Sequence, residues 1–198
     1  MTATFLTLMM MMTPLRAEAG RPVRTVDAVD LDRYVGDWYE IARFPNVFQR
    51  NCAGDVRASY ARRPDGLIQV INRCRAADGA PIEARGVGRV VDPRSSAKLK
   101  VRFAPAVLAF LPFVWGDYWI VGLADDYSWA VVGSPNRGYL WILARTRALD
   151  AEGFAAACAA ARANLFDVDR LVMTRHAAAP AAPGDKRSTG RPGRRRAP

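Results

Sequence analysis

Alternation of apolar and polar residues with a period of two runs through much of the chain between residues 36 and 146. It is strictest at 97–103, where Lys98, Lys100 and Arg102 alternate with Leu99, Val101 and Phe103. This period is typical of a strand that has one face in water and the other in a core. Eight such segments, separated by turn sequences, are predicted as strands: 36–44, 56–62, 67–74, 82–91, 97–103, 117–123, 127–133 and 139–146.

The connections between these strands predict the overall architecture. Each strand leads to the next through a turn or loop, such as Pro64-Asp65-Gly66. Eight strands linked only to their sequence neighbours form an up-and-down antiparallel meander, and closing it into a barrel removes the exposed edges. We therefore expect an all-β fold, an eight-stranded antiparallel up-and-down β-barrel.

A helix is predicted after the eighth strand, at 151–165, because Asp150 can cap it and apolar residues recur at helical spacing. The face that they form consists of Phe154, Cys158, Ala161 and Leu165. We expect this face to pack on the outside of the barrel and a short last strand to follow at 171–174.

The two ends of the chain differ from the domain at 20–176. Residues 1–19 have an apolar centre and finish in Ala17-Glu18-Ala19, the pattern of a signal-peptidase site, so they predict a secretion signal. They lack a Lys or Arg before the apolar run, and a misassigned start codon is the alternative. Residues 177–198 are rich in Ala, Pro and Gly and predict a disordered basic tail.

The tail carries a large part of the formal net charge of +10. Its basic residues are Lys186, Arg187, Arg191, Arg194, Arg195 and Arg196, against Asp185 alone. Such a run can attract anionic lipid head groups or nucleic acid. The alternative, which we favour, is a solvated tail without a partner, so no specific nucleic-acid binding is expected of the domain.

Catalytic constellations are not apparent in the sequence. His176 is the only histidine and lies next to the tail, so no Ser-His-Asp or Cys-His arrangement is expected inside the domain. Asp125 and Asp126 are adjacent in a predicted turn, where carboxylates usually accept backbone hydrogen bonds. Metal-ligand spacing of Cys and His is absent as well. We predict no catalytic residues, no metal and no cofactor.

Three segments together resemble the signature of the lipocalin family, and the wording of the first and third resembles its bacterial branch. The first is Gly36-Asp37-Trp38-Tyr39-Glu40-Ile41-Ala42-Arg43, the second is Asp125-Asp126-Tyr127, and the third is Leu140-Trp141-Ile142-Leu143-Ala144-Arg145. The resemblance covers about residues 30 to 175. It implies the same barrel that the periodicity predicts.

The resemblance also implies a structural role for the motif residues. Gly36, Trp38 and Arg145 would meet at the closed end of the barrel, with the guanidinium packed on the indole. Asp126 and Tyr127 would occupy the second motif, although Asp125 stands where threonine is usual. These residues are expected to maintain the fold rather than to contact a ligand.

An eight-stranded barrel is just wide enough to hold one small ligand. Small residues on the second and fourth strands would leave room, and aromatic and aliphatic residues would line it. The candidate ligand-binding residues are Ala58, Tyr60, Asn72, Gly86, Leu99, Val101, Phe103, Tyr118, Trp129, Tyr139 and Trp141. The alternative is that these side chains simply fill the core.

The resemblance implies binding and transport of a hydrophobic or amphipathic ligand, a fatty acid or lysophospholipid, in the bacterial envelope. No cysteine lies near the predicted cleavage point, so we expect a periplasmic protein without a lipid anchor, monomeric or weakly dimeric, in peripheral contact with the outer membrane. The alternative is an enzyme or stress protein acting on an isoprenoid or pigment-like substrate.

Cys52 and Cys74 are predicted to form a disulfide. In an up-and-down barrel both lie at the open rim, and an exported protein meets an oxidising compartment. Cys158, on the apolar face of the helix, is expected to be a buried structural thiol.

The loop at 104–116 is unusually apolar and carries no charge. Its large apolar residues are Val107, Leu108, Phe110, Leu111, Phe113, Val114 and Trp115. Counting connections places the loop at the open rim. It can fold inward as a lid, insert into a membrane surface or pair with a second copy, and we favour the first two together.

Overall fold

A computed structural model describes residues 20–177 of the 198-residue chain. The predicted secretion signal at 1–19 and the tail from residue 178 onward lie outside the described residues. The strands are β1 (Gly36–Arg43), β2 (Gly54–Arg62), β3 (Ile68–Arg75), β4 (Pro81–Val90), β5 (Lys98–Arg102), β6 (Gly116–Leu123), β7 (Trp129–Gly133), β8 (Leu140–Ala144) and β9 (Val172–Met173), and the α-helices are α1 (Leu31–Tyr34) and α2 (Ala151–Ala163).

The strands form a closed antiparallel barrel. Each of β2 to β8 pairs with its sequence neighbours, and β1 pairs with both β8 and β2, which closes the sheet. The predicted eight-stranded up-and-down barrel is therefore confirmed. The loops that follow β1, β3, β5 and β7 lie at one end, the open rim, and α1 and the remaining connections lie at the closed end.

Helix α2 packs outside the barrel, as predicted. Asp150 caps it by accepting a hydrogen bond from the Gly153 amide at 2.7 Å. Ala157, Cys158 and Ala161 are buried against the outer faces of the strands. Small side chains at these positions let the helix approach the sheet closely, so a second core forms between helix and barrel wall.

Strands β1 and β2 pair near the closed end but separate toward the open rim. Residues 172–177, which contain β9 and which we call the seam segment, lie between them there. The segment pairs with Ala42 and Arg43 of β1 on one side. On the other side the Asp55 amide donates to the Arg175 carbonyl at 2.8 Å. Because backbone groups at an open seam would otherwise lack partners, the segment completes the hydrogen bonding of the wall.

The open rim differs from the sequence prediction in one loop. The region expected to be irregular contains a 3-10 helix at Val47–Gln49, and β2 begins at Gly54, two residues before the predicted start. A register shift in the β2–β3 pairing accompanies this. It brings the Cα atoms of Cys52 and Cys74 to 5.6 Å, and the predicted disulfide between them is confirmed.

Arg145 organises the closed end of the barrel. Its guanidinium carbon lies 3.8 Å from the ring centroid of Trp38, which is completely buried. The same guanidinium donates hydrogen bonds to backbone carbonyls of Arg33, Tyr34, Val35, Asp37 and Tyr127 at 2.6–3.3 Å. One side chain thus ties the N-terminal segment, β1 and the β6–β7 turn together.

Gly36 is required beside this guanidinium. Its φ is +98°, a conformation that other residues rarely adopt, and a Cβ there would lie 3.4 Å from Arg145 Nη1. The first motif therefore needs glycine for its backbone conformation, while the contact with Arg145 alone would tolerate a Cβ.

Replacing Arg145 by alanine should lower the free energy of unfolding by about 2–4 kcal/mol, because five carbonyls lose a charged donor and Trp38 loses its cover. Urea denaturation measures this. Arg94→Ala, at an exposed turn of the closed end, is the control. Equal stability of the two variants would contradict the role given to Arg145.

Candidate ligand-binding site

The strand register shows which side chains line the barrel. Trp38, Ala58, Asn72 and Ala84 are cross-strand neighbours in successive strands, so all four share the inner face. The same reasoning places further predicted residues inside. They are Tyr60, Gly86, Leu99, Val101, Tyr118 and Trp141.

Two more predicted residues lie at the mouth. Phe103 continues the inner face of β5 and is 44% exposed. Tyr139 stacks on Trp141 with ring centroids 5.8 Å apart, and Phe48 of the rim loop approaches Tyr139 at 5.5 Å. The open rim is therefore lined with aromatic rings.

The prediction that Trp129 lines the interior is wrong. It pairs with Ala144 and packs with the cluster beneath helix α2, so it faces outward. The inward residues of β7 are Ala130 and Val132. Strand β7 is apolar on both faces because helix α2 covers its outer side, and its sequence therefore shows no alternation from which the facing could be read.

Gly86 lies on the inner face as predicted, but it does not leave room for a ligand. A Cβ there would lie 2.6 Å from the Arg102 carbonyl oxygen and 2.8 Å from the Phe103 ring. The room that this glycine leaves is taken by Phe103, so Gly86 serves the packing of the wall rather than the space for a ligand.

The interior is filled at the closed end and accessible toward the rim. Trp38 and Ala130 are completely buried at the closed end, and Ile120 and Val132 are completely buried above them. Higher on the wall, Ala84 is exposed and Asn72 is half-buried although both face inward. The inner wall is therefore accessible to water near Ala84, at the end of β4 that extends past its pairing with β5.

Three tyrosine hydroxyls meet in the interior. Tyr34 and Tyr118 lie 2.8 Å apart at their hydroxyl oxygens, and Tyr118 donates to Tyr60 at 3.1 Å. Burial raises the pKa of Tyr60 to about 12, and it raises the pKa of Tyr34 and of Tyr118 further. All three stay neutral at ordinary pH. The three hydroxyl groups carry three protons, and the two hydrogen bonds among them use two. One proton therefore remains for a hydrogen bond to a ligand.

Glu40 forms a second polar group inside the wall, near the mouth. It is 2% exposed and accepts hydrogen bonds at 2.5 Å from Gln49 and from Thr174. Gln49 in turn accepts from the Trp141 indole at 2.9 Å, and Arg43 lies 3.3 Å from the carboxylate. Glu40 thus joins the rim loop, strand β8 and the seam segment.

Comparison with known proteins assigns this architecture. A family model described as a lipocalin-like domain matches residues 29–176. This chain belongs to the lipocalin family. It is 38% identical to temperature-induced lipocalin-1 of Arabidopsis thaliana over 156 residues, 78% of this chain and 83% of that protein. It is 37% identical to outer membrane lipoprotein Blc of Escherichia coli K12 over 153 residues, 77% and 82% of the two chains.

A solved structure shows the same fold at lower identity. Insecticyanin from the tobacco hornworm Manduca sexta aligns with this lipocalin at a TM-score of 0.61 and 19% identity, over 79% of this chain and 85% of that chain. The likeness concerns the fold alone.

Sequence reasoning missed two inner residues of the lipocalin, Tyr34 and Glu40. Tyr34 lies in α1, outside the strands, and only closure of the barrel carries its hydroxyl to Tyr118. Glu40 lies in the first motif, where its position two residues after Trp38 was a signal that it shares the inner face.

Residues 20–177 contain neither a metal-binding cluster nor a membrane-spanning helix. That part of the lipocalin holds no group of three His, Cys, Asp or Glu side chains placed to bind a metal ion. Within the same range, no helix has the length and apolar character needed to cross a membrane.

Glu40 should make stability depend on pH. Burial raises the pKa of its carboxyl above the ordinary value of 4.5, so the native state binds the proton more strongly than the unfolded chain. Its contribution to the free energy of unfolding therefore falls as pH rises from 4.5 through the raised pKa. In Glu40→Gln this decline should vanish, as measured by urea denaturation from about pH 4 to about pH 8.

Glu152→Gln, on the exposed first turn of α2, is the control, because it removes one negative charge without affecting a buried group. A constant difference in stability between wild type and Glu40→Gln across that pH range would contradict the assignment.

Proposed function

We propose that this lipocalin binds a hydrophobic or amphipathic molecule, a fatty acid or lysophospholipid, inside its barrel and carries it in the bacterial cell envelope. The observation that carries the proposal is the inner wall, which is apolar and aromatic, closed at one end and accessible at the other. The few polar groups inside, the tyrosine hydroxyls and Glu40, offer hydrogen bonds to a ligand with one polar end.

The envelope location is supported by the relative named as an outer membrane lipoprotein and by the predicted secretion signal. The domain limits of 20–176 and the periplasmic location belong to the same proposal. An acyl chain moved through an aqueous compartment must be shielded, since each exposed methylene costs about 0.8 kcal/mol.

Ligand identity is tested by native mass spectrometry and lipid extraction of the purified protein. Copurified acyl lipid is the expected result. An isoprenoid or coloured ligand would instead favour the alternative function, and strongly salt-dependent DNA binding that is lost with the tail would favour nucleic acid.

Filling the interior should block binding. Val101→Phe adds volume on the inner face of β5 and should weaken binding of a fluorescent fatty acid by at least about tenfold. Lys100→Phe, the neighbouring residue on the outer face, is the matched control and should bind as wild type does. Equal affinities of the two variants would refute an interior site.

The open rim carries a cluster of exposed apolar side chains that we call the rim patch. Phe110 and Phe113 are 77% and 80% exposed, and Val107 is 75% exposed. Phe48, on the β1–β2 loop across the mouth, is exposed as well, at 72%. Because their side chains face solvent, these residues do not cover the mouth, and the expected inward lid is not found.

Trp115 holds this loop in place. It is buried, donates to the Ala109 carbonyl at 2.8 Å and packs under the guanidinium groups of Arg89 and Arg102 at 4.3 Å and 5.2 Å. A loop anchored at its base and apolar at its tips suits insertion into the surface of a bilayer. We include peripheral membrane contact through the rim patch in the proposed function, since it would bring the barrel mouth to the lipid.

Replacing Phe110, Leu111 and Phe113 together by serine should reduce liposome binding by about tenfold or more, because large apolar side chains are removed from the contact. Vesicle flotation and the rate of fluorescent fatty-acid transfer measure the effect. Val91→Ser, an exposed apolar residue at the closed end, is the control. Unchanged transfer in the triple variant would exclude membrane contact by this loop, and a dimer lost in the variant would show a subunit contact instead.

A further inference from the structure

A groove of about 240 Å³ lies on the outer wall of the barrel, away from the interior site. Its walls come from β1, β2, β3, the segment after β8 and the seam segment. The charged lining residues are Asp55, Arg57, Arg73, Arg75 and Arg147, and His176 lines it as well. Their side chains converge from distant parts of the chain, so the groove exists only in the folded barrel.

Positive charge predominates in this groove. Four arginines line it against one carboxylate, that of Asp55. Three of them contact carboxylates through one edge of the guanidinium, to Asp37, Glu83 and Asp55 at 2.8–3.1 Å. A guanidinium has five N–H donors, so each of these keeps donors for another acceptor. The four arginines carry more positive charge than Asp55, Asp37 and Glu83 together carry negative charge, so the groove has a net positive charge.

Arg147 differs from the other three. Within residues 20–177 it forms no ion pair, and its guanidinium carbon lies 5.6 Å from the ring centroid of Tyr39. It is exposed and lines the groove. A guanidinium held beside an aromatic ring without a described carboxylate is available for an anion from solution.

His176 provides a buried polar atom at the same place. Its side chain is 6% exposed, and Nε2 lies 2.7 Å from the Glu40 carbonyl oxygen. A carbonyl only accepts, so Nε2 carries a proton and donates it to this hydrogen bond. Among the described residues Nδ1 has no hydrogen-bond partner. Because Nδ1 is itself buried, it is not a contact atom for a ligand, and His176 serves as a reporter in the wall of the groove.

Asp55 does not supply that partner. Its Oδ1 lies 3.8 Å from Nδ1, beyond hydrogen-bond distance, and its oxygens accept from the Ala177 amide and from Arg75. The Ala177 amide and the Arg75 guanidinium hold the pKa of Asp55 below its usual value, so it stays ionised and orients Arg75.

We propose that this groove binds an oxyanion of the phosphate class. Phosphate oxygens accept from guanidinium groups in the bidentate geometry that arginine favours. His176 lies buried beside Asp55 in the wall of the groove, where its ring senses a bound anion. The same chemistry is present in free phosphate and in a phosphomonoester lipid head group. The chain continues from Ala177, at the edge of the groove, into the basic run from residue 178 onward.

The chain has one histidine, so its imidazole resonances report on the groove without ambiguity. Titration of the tag-free protein with inorganic phosphate at constant ionic strength should shift the His176 resonances saturably, and sodium chloride alone should not. Arg147→Gln should weaken the apparent affinity by about tenfold, because one charge-assisted contact is lost. Arg94→Gln, an exposed arginine at the closed end that also forms no ion pair within residues 20–177, is the matched control.

Vesicles of phosphatidylcholine with and without phosphatidic acid distinguish the sources. Saturation by inorganic phosphate supports a site for the free anion, and a response only to phosphatidic acid supports the same site for a head group. A response equal in chloride and phosphate, no saturable response to either probe, or equal affinities of Arg147→Gln and Arg94→Gln would each overturn the proposal. Circular dichroism of both variants verifies that they are folded.

Discussion

The packing of Arg145 on Trp38 is the contact on which the rest of the barrel depends. A barrel has no edge strands, but it must be closed at one end to keep a core dry. Here a single guanidinium covers the buried indole and binds the carbonyls of three separate segments. A lysine could not replace it, since an ammonium lacks the planar donor array that reaches several carbonyls at once.

The two ends of the molecule consequently carry different chemistry. At the closed end, apolar side chains fill the space and the three tyrosine hydroxyls form hydrogen bonds with one another. Toward the open rim, the inner wall is accessible. There the Glu40 carboxyl group is buried and accepts hydrogen bonds from Gln49 of the rim loop and Thr174 of the seam segment. Any rearrangement of the mouth that separates Gln49 or Thr174 from Glu40 would leave a buried charge with fewer donors, so this network favours one arrangement of the mouth.

The outer wall is not uniform either. Helix α2 covers the strands on one side, which makes them apolar on both faces. On the opposite side, β2 and β3 face solvent, and their outward positions carry three of the four arginines of the groove, Arg57, Arg73 and Arg75. The exposed apolar rim patch at the open end and the cationic groove on the wall are complementary in chemistry, one suited to acyl chains and the other to phosphate. The proposed interior site lies between them.

The sequence by itself determined the barrel, its strand order, the outer helix and the disulfide, because alternation, turn residues and helical spacing are local properties of the chain. It also placed most of the inner wall, since the facing of β5 follows from Lys98, Leu99 and Lys100 alone. Only the tertiary structure decided the facing of Trp129, because its strand is buried on both sides and carries no alternation. Tyr34 and the groove arginines likewise acquired their roles when closure of the barrel brought distant segments together, and such long-range contacts leave no periodic signal in the sequence. The spacing of Glu40 from Trp38 does indicate its face, but its partners Gln49 and Thr174 come from other segments and follow only from the tertiary structure.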